Sequence, residues 1–185
     1  MAEHGKVTAI LGNMYSGKST RLLHYATRAR IAKKDFQLFK PRIDNRYSTD
    51  EVVSHDGARV NAQVIDSYKD LYDLDSGSLE VLLIDEIQFF DPEIWRVVNE
   101  WAMDGVDVYV AGLSTDFMGQ PFEASARIAM IADNIESLTA VCTGCGEDAV
   151  WTQMVVGGVE VTDGERVQVG GTEMYEPRCR RCFVR

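Results

Sequence analysis

The stretch Gly12-Asn13-Met14-Tyr15-Ser16-Gly17-Lys18-Ser19 sets two glycines, with four residues between them, ahead of a lysine and a hydroxyl residue. This spacing fits a P-loop, whose backbone amides surround phosphate oxygens. The run before it, Val7-Thr8-Ala9-Ile10-Leu11, is short, β-branched and apolar, the pattern of a buried strand that delivers the loop to the carboxyl edge of a sheet. After it, Leu22, Leu23, Ala26 and Ala29 recur at helical spacing, which predicts a helix from about Lys18 to Lys34 whose first amides face an anion. Gly12 and Gly17 let the backbone curl without Cβ clashes, Lys18 reaches toward the outer phosphates, and Ser19 toward a magnesium ion. A glycine turn with a chance lysine would satisfy the letters but would lack this strand and helix.

Val81-Leu82-Leu83-Ile84-Asp85-Glu86 is a second anchor. Four apolar residues in a row predict a central strand buried on both faces, and two carboxylates at its end need a cation or a substrate hydroxyl. In a P-loop protein the first acid serves magnesium and the second orients or deprotonates a nucleophile. Asp91 and Pro92 open a predicted helix carrying Ile94, Val97, Val98 and Trp101 and ending near Gly105, followed by a strand from Val106 to Ala111. Phe36 to Lys40 is a further strand, closed by Pro41. Val60 to Ile65 is another, after a turn at His55-Asp56-Gly57 where His55 reads as a structural hydrogen-bonder. Ser67 caps a short helix, and Glu123 to Asp133 reads as helical. This alternation of strand and helix predicts an α/β fold with a mainly parallel sheet. The loops Arg42 to Ser48 and Gly112 to Phe122 follow strand ends, where such folds place ligand contacts.

A chain of 185 residues that is 45% apolar has material for one sizeable core. The net charge of -10 repels nucleic acid and anionic membrane, while a small nucleotide escorted by magnesium escapes that penalty. The basic residues Arg21, Arg28, Arg30, Lys33 and Lys34 read as a solvated face and a complement to the helix dipole. No apolar run approaches a membrane span, and Met1 to Lys6 is too short and polar for a signal peptide, so a cytoplasmic protein is expected.

All four cysteines fall into two pairs, Cys142-Thr143-Gly144-Cys145 and Cys179-Arg180-Arg181-Cys182, with 33 residues between them. Paired knuckles predict a structural zinc site of four thiolates, with no open coordination position. A redox site would need only one pair. The fold class expected is a P-loop parallel sheet flanked by helices over residues 1–137. A small zinc-ribbon-like lobe follows over residues 138–185 and carries a long insertion. Within that insertion, Val159 to Val161 is expected to pair with Val167 to Val169 across a loop at Asp163 and Gly164.

Taken in order, these motifs resemble the type II thymidine kinase family. The likeness covers nearly the whole chain and rests on Gly12 to Ser19, Lys40 through Asp44-Asn45-Arg46-Tyr47-Ser48, Asp85-Glu86-Ile87-Gln88-Phe89-Phe90, Phe117, Pro121-Phe122, Val169-Gly170-Gly171, Tyr175 and the four cysteines. It implies transfer of the γ-phosphoryl of ATP to the 5′-hydroxyl of thymidine. The product is dTMP, for pyrimidine deoxynucleotide salvage and DNA synthesis. Glu86 is implied as general base and Lys18 as stabiliser of the transferring charge. Ser19, Asp44 and Asp85 are implied to position magnesium and Arg46 to neutralise phosphate, with Ile87 and Gln88 counted in the same nucleotide set as Gly12 to Ser19. The implied thymidine pocket is Met14, Leu113, Phe117, Phe122, Thr152 and Tyr175, closed by a lasso of Arg166, Val167, Gln168, Val169 and Gly170. The family is commonly a homotetramer inhibited by thymidine triphosphate (dTTP), which the resemblance carries over as expectations. Asn13, where many members have proline, and Met118, where bacterial members often have arginine, depart from the pattern. The rival readings are a P-loop ATPase in which Glu86 activates water and a nucleotide-switched binding module using Arg178, Arg180, Arg181 and Arg185.

Overall fold

A computed structural model describes residues 4–43, 51–53, 59–74, 78–166 and 174–185. Its main sheet contains β1 (Val7–Gly12), β2 (Phe36–Pro41), β5 (Gln63–Ile65), β6 (Val81–Ile84), β7 (Asp107–Leu113) and β8 (Asn134–Leu138) in the order β5-β2-β6-β7-β1-β8. Every neighbouring pair is parallel. All six residues of β1 and all four of β6 are buried, as expected of strands covered on both faces.

Helix α1 (Lys18–Ile31) covers one face, where Leu22, Leu23 and Ala26 meet Ile10, Leu38, Leu83 and Ala111. The antiparallel pair β3 (Glu51–Val53) and β4 (Arg59–Asn61) adds Val52 and Val60 to this layer. Helices α2 (Ile94–Met103) and α3 (Glu123–Ile131) cover the other face, packing Ile94, Val97, Val98 and Ile128 on Phe39, Leu82, Ile84 and Val108. No helix among the described residues is long and apolar enough to cross a membrane.

Several boundaries differ from the sequence expectations for local reasons. Helix α1 stops at Ile31, short of Lys34, because Lys33 turns left-handed (φ 58°). The amide of Lys34 then bonds the carbonyl of Ala29 and that of Lys33 bonds Arg30, the hydrogen-bond pattern of a Schellman cap. The single strand expected from Val60 to Ile65 is two: β4 pairs with β3, whereas β5 joins β2 at the edge of the main sheet. The strand expected from Val106 to Ala111 runs from Asp107 to Leu113. Ser67 does cap a short helical segment, a 3-10 helix over Tyr68–Asp73, through a reciprocal capping box with Asp70. The turn at His55 to Gly57 lies outside the described residues.

Beyond β8 the chain forms a small pair, β9 (Ala140–Val141) with β10 (Asp148–Ala149). A three-stranded antiparallel sheet follows, from β11 (Trp151–Val156), β12 (Val159–Val161) and β13 (Tyr175–Arg178) in the order β12-β11-β13. The described partner of Val159–Val161 is β11, with Val156 opposite Val159. The connection is Gly157-Gly158, both at positive φ (60° and 81°), the geometry a two-residue hairpin favours. Val167 to Val169, the partner expected from sequence, lies outside the described residues.

Candidate functional site

The P-loop leaves the carboxyl end of β1 under close constraint. A Cβ on Gly12 would lie 2.5 Å from the Leu138 carbonyl oxygen and 2.6 Å from Ser16 Oγ, so only glycine fits between β8 and the loop. Gly17 caps α1 in the left-handed region (φ 84°), and Lys18 and Ser19 are the first two helical residues. Lys18 is buried, and its ammonium donates to the Asn13 carbonyl at 2.6 Å. Ser16 Oγ donates to the same oxygen at 2.9 Å. Beside the loop, Tyr15, Ser16, Gly17, Thr20, Arg21, His24 and Leu138 line an open cleft of about 660 Å³.

The acidic pair sits at the same sheet edge. Ser19 Oγ donates to Asp85 Oδ2 at 3.0 Å, and Asp85 Oδ1 accepts the Glu86 amide at 2.9 Å. Asp85 is buried. Glu86 adopts a left-handed backbone (φ 53°), rare for a residue with a side chain and characteristic of functional corners. Gln88 Nε2 donates to the Glu86 carboxylate, and Gln88 Oε1 accepts the Leu113 amide at 2.9 Å, so the glutamate is braced from the end of β7. Gly112 makes room for this brace, since a Cβ there would fall 2.4 Å from Ile87 Cγ2 and 2.8 Å from Gln88 Oε1. A hydroxyl beside a buried carboxylate at the mouth of a phosphate loop is a donor set that suits hard, oxygen-seeking magnesium.

Residues expected around a nucleoside are held on β7, β11 and β13 and the loop after β7. Phe117, Phe122 and Thr152 are buried, Tyr175 is half-buried, and the Met14 amide donates to Thr152 Oγ1 at 3.0 Å. Arg166 stacks its guanidinium 4.7 Å from the centre of the Phe122 ring, donates to the Pro121 carbonyl, and brings Nε within 2.8 Å of Asp116 Oδ2. That last contact is an ion pair without hydrogen-bond alignment, as Asp116 Oδ2 makes no hydrogen bond. Asp44, Arg46, Val167, Gln168, Val169 and Gly170 lie outside the described residues.

Two organising residues escaped the sequence reading. Asp116 is buried and accepts the amides of Met118 and Gln120 through Oδ1, shaping the loop between Phe117 and Phe122. An acid amid Phe117, Gly119 and Pro121 was the available signal. Gln153 is fully buried, donating to the Val161 carbonyl and accepting the Val184 amide at 2.8 Å, and nothing in its sequence neighbourhood marks it.

Cys142, Cys145, Cys179 and Cys182 bring their sulfurs within 4.8 Å of one another, with Cys145 and Cys179 at 3.5 Å. Four thiolates on tetrahedral zinc would stand about 3.8 Å apart, so the donor set fits a metal such as zinc. Burial pushes the Cys142 thiol up, but hydrogen bonds from the backbone of Cys179 and Gly144 and from the side chain and backbone of Cys145 together draw it down to about 6. Cys182 is pushed up to about 12 by the sulfurs of Cys145 and Cys179. Sulfurs this close cannot all carry charge without a cation among them.

The family model described as Thymidine kinase matches residues 5–183. With a P-loop, a facing acidic pair and a four-cysteine cluster inside that span, the chain belongs to the thymidine kinase family, a family of phosphotransferases.

Proposed function

We propose that this protein transfers the γ-phosphoryl group of ATP to the 5′-hydroxyl of thymidine, giving dTMP for deoxynucleotide salvage and DNA synthesis. The observation that carries the reading is the 3.0 Å bond from Ser19 to Asp85, which joins the phosphate loop to the acidic pair at one sheet edge. The family match is its second support. In this reading residues 1–137 form the nucleotide-binding domain and residues 138–185 the zinc-binding lobe that covers the substrate. The open cleft at Thr20 and His24 gives room to the nucleoside end of ATP.

Phosphoryl transfer asks a protein chiefly for positioning and charge stabilisation. Lys18 leaves the Asn13 carbonyl to meet the transferring phosphoryl oxygens. Glu86, braced by Gln88, accepts the proton of the attacking hydroxyl. Ser19 and Asp85, with Asp44, hold magnesium, which neutralises phosphate charge when bound. Arg46 adds positive charge on the phosphates. Phe117, Phe122 and Tyr175 wall the base, and Arg166 with residues 167–170 serves to close the pocket. Thymidine triphosphate as an inhibitor and a homotetramer as the assembly belong to the same proposal, tested by inhibition kinetics and analytical ultracentrifugation.

Incubation with γ-labelled ATP and a nucleoside panel tests the reaction. Label on thymidine is expected, and label only in free phosphate would replace the kinase with a water-activating ATPase. Glu86→Gln is expected to retain ATP affinity while losing about 10²–10⁴-fold in kcat, the range of a positioned general base. A variant turning over at wild-type rates would strip Glu86 of that role.

A further inference from the structure

Asn13 is bonded within the phosphate loop through its carbonyl and out of the loop through its side chain. Its carbonyl holds the Lys18 ammonium at 2.6 Å and Ser16 Oγ at 2.9 Å. Its side-chain Nδ2 donates to the Trp151 carbonyl at 3.1 Å. The next amide, Met14 N, donates to Thr152 Oγ1 at 3.0 Å. Trp151 and Thr152 begin β11, where they stand opposite Arg178 and Pro177 of β13, the residues that lead directly into Cys179. A continuous set of bonds therefore runs from the phosphate-seeking lysine through one residue to the strands that carry the cysteine cluster.

The side chain is held for its donor. Asn13 is 1% exposed, and a carbonyl partner accepts only from Nδ2, which leaves Oδ1 buried without a partner. Such an orphan acceptor is destabilising, a penalty that an aliphatic residue of similar volume would avoid. When Lys18 swings to a phosphate, the Asn13 carbonyl loses its shortest bond, and the same residue carries that change to Trp151.

We propose that Asn13 is a positioning residue that couples the phosphate-binding lysine to the cysteine-bearing strands, so that nucleotide occupancy and the order of β11 depend on each other. The inference rests on the P-loop binding nucleotide, as proposed above. Coupling is reciprocal: what nucleotide does to β11, the tether of β11 does to nucleotide affinity.

The test uses full-length protein carrying its metal, as wild type, Asn13→Leu and Asn13→Asp. The first variant keeps the volume without the donor, and the second sets a carboxylate oxygen against the Trp151 carbonyl. MgADP affinity is measured by calorimetry, and amide exchange over residues 151–156 is followed with and without saturating MgADP. In the wild type, nucleotide is expected to slow exchange across β11 about fivefold or more. Both variants are expected to bind MgADP about tenfold more weakly and to lose that slowing, within the usual range of intramolecular coupling. A merely structural asparagine would lower the melting temperature yet leave the affinity and the nucleotide-dependent slowing intact, which overturns the proposal. Wild-type exchange indifferent to MgADP overturns it as well. Thr152→Val, which removes only the acceptor of the Met14 amide, gives the same readout should the Asn13 variants not fold, and coupling unchanged there counts against the tether. Absence of MgADP binding by the wild type strikes the nucleotide reading itself, whereas normal binding by the variants strikes Asn13 alone.

Discussion

The six-stranded sheet and the cysteine-bearing region are held together by different physics. The sheet has a dense apolar cluster on each face, with Leu22, Leu82, Leu83, Ile84, Ile94 and Ile128 wholly withdrawn from solvent. The cluster of the cysteine region consists of Ala140, Cys142, Ala149 and Cys179, with Cys182 and the P-loop residue Tyr15 packed against it. Two of its four buried members are themselves metal-ligand candidates, and one of its walls belongs to the phosphate loop. Apolar burial contributes roughly 25 cal/mol per Å², so two alanines and two cysteines supply little of what ordering these strands costs. The sheet therefore has a core of its own, whereas the described residues of the second region have little, and a metal held by the four cysteines together with contact with the P-loop would supply what it lacks.

Depriving the four cysteines of metal is expected to break this comparison most severely. Structural zinc sites contribute apparent free energies of about 10 kcal/mol or more, and that energy is folding energy where no other core exists. Treatment with a strong chelator is expected to collapse amide protection over residues 140–149 and 175–178, leaving β1 and β6 protected. Hydrogen exchange with mass spectrometry, alongside measured metal content, reads both regions at once. Persistent protection of the cysteine strands in metal-free protein would mean that their small core suffices.

A cavity cut into the sheet asks the converse question. Leu83 is fully buried on β6 between Leu38 and Tyr109 in the strand register, with β7 between it and β1. Leu83→Ala is expected to cost about 2–5 kcal/mol of global stability. It should leave metal content unchanged, because none of the cysteines packs on that face. Denaturant melts give the loss, and concurrent release of metal at low denaturant would show the two regions to be one cooperative unit.

The same contrast governs how much could be read from sequence. Buried parallel strands announce themselves as apolar runs, and chemistry follows them at the carboxyl edge, so the positions of the P-loop and Asp85-Glu86 were legible, while the cysteines were legible from their paired spacing alone. Edge and antiparallel strands were legible only in part: Val159–Val161 was read as a strand, but its described partner β11 was not. Asn134-Ile135-Glu136-Ser137-Leu138 carries three polar residues in five, in keeping with a strand that pairs on one side only among the described residues, and such a pattern gives no apolar run to read. In β11 the buried face includes Gln153, whose hydrogen bonds to Val161 and Val184 replace the apolar signal. Without β11 in view, the glycine pair that joins it to Val159–Val161 went unused, and Val167 to Val169 took its place as partner. Asp116 was hidden for a related reason: a buried carboxylate satisfied by Met118 and Gln120 amides leaves no periodicity to detect.

The smallest expected effect lies where the edge of the sheet meets α1. Glu136 on β8 accepts Arg21 Nε at 2.6 Å and Nη2 at 2.9 Å, together with the Tyr25 hydroxyl, and Tyr25 stacks on Tyr109 at 4.0 Å. The hydrogen bonds from Arg21 hold the Glu136 carboxyl below its usual range against the opposing effect of burial, and the Tyr25 bond adds to them. A carboxylate depressed by folding contributes stability that is fully present above its unfolded value, near 4.3, and is lost as pH falls through the lower folded value. Glu136→Gln is therefore expected to melt below the wild type at pH 7 by an amount worth about 1 kcal/mol or less, since Arg21 remains part-exposed to solvent. The gap should close as the pH drops below about 4, where the wild type also loses the charge. A gap that stays constant from pH 7 to pH 3 would assign the contribution to shape and neutral hydrogen bonding. In that case β8 would be anchored by packing, like the rest of the sheet, and electrostatics would have no part in holding its exposed edge.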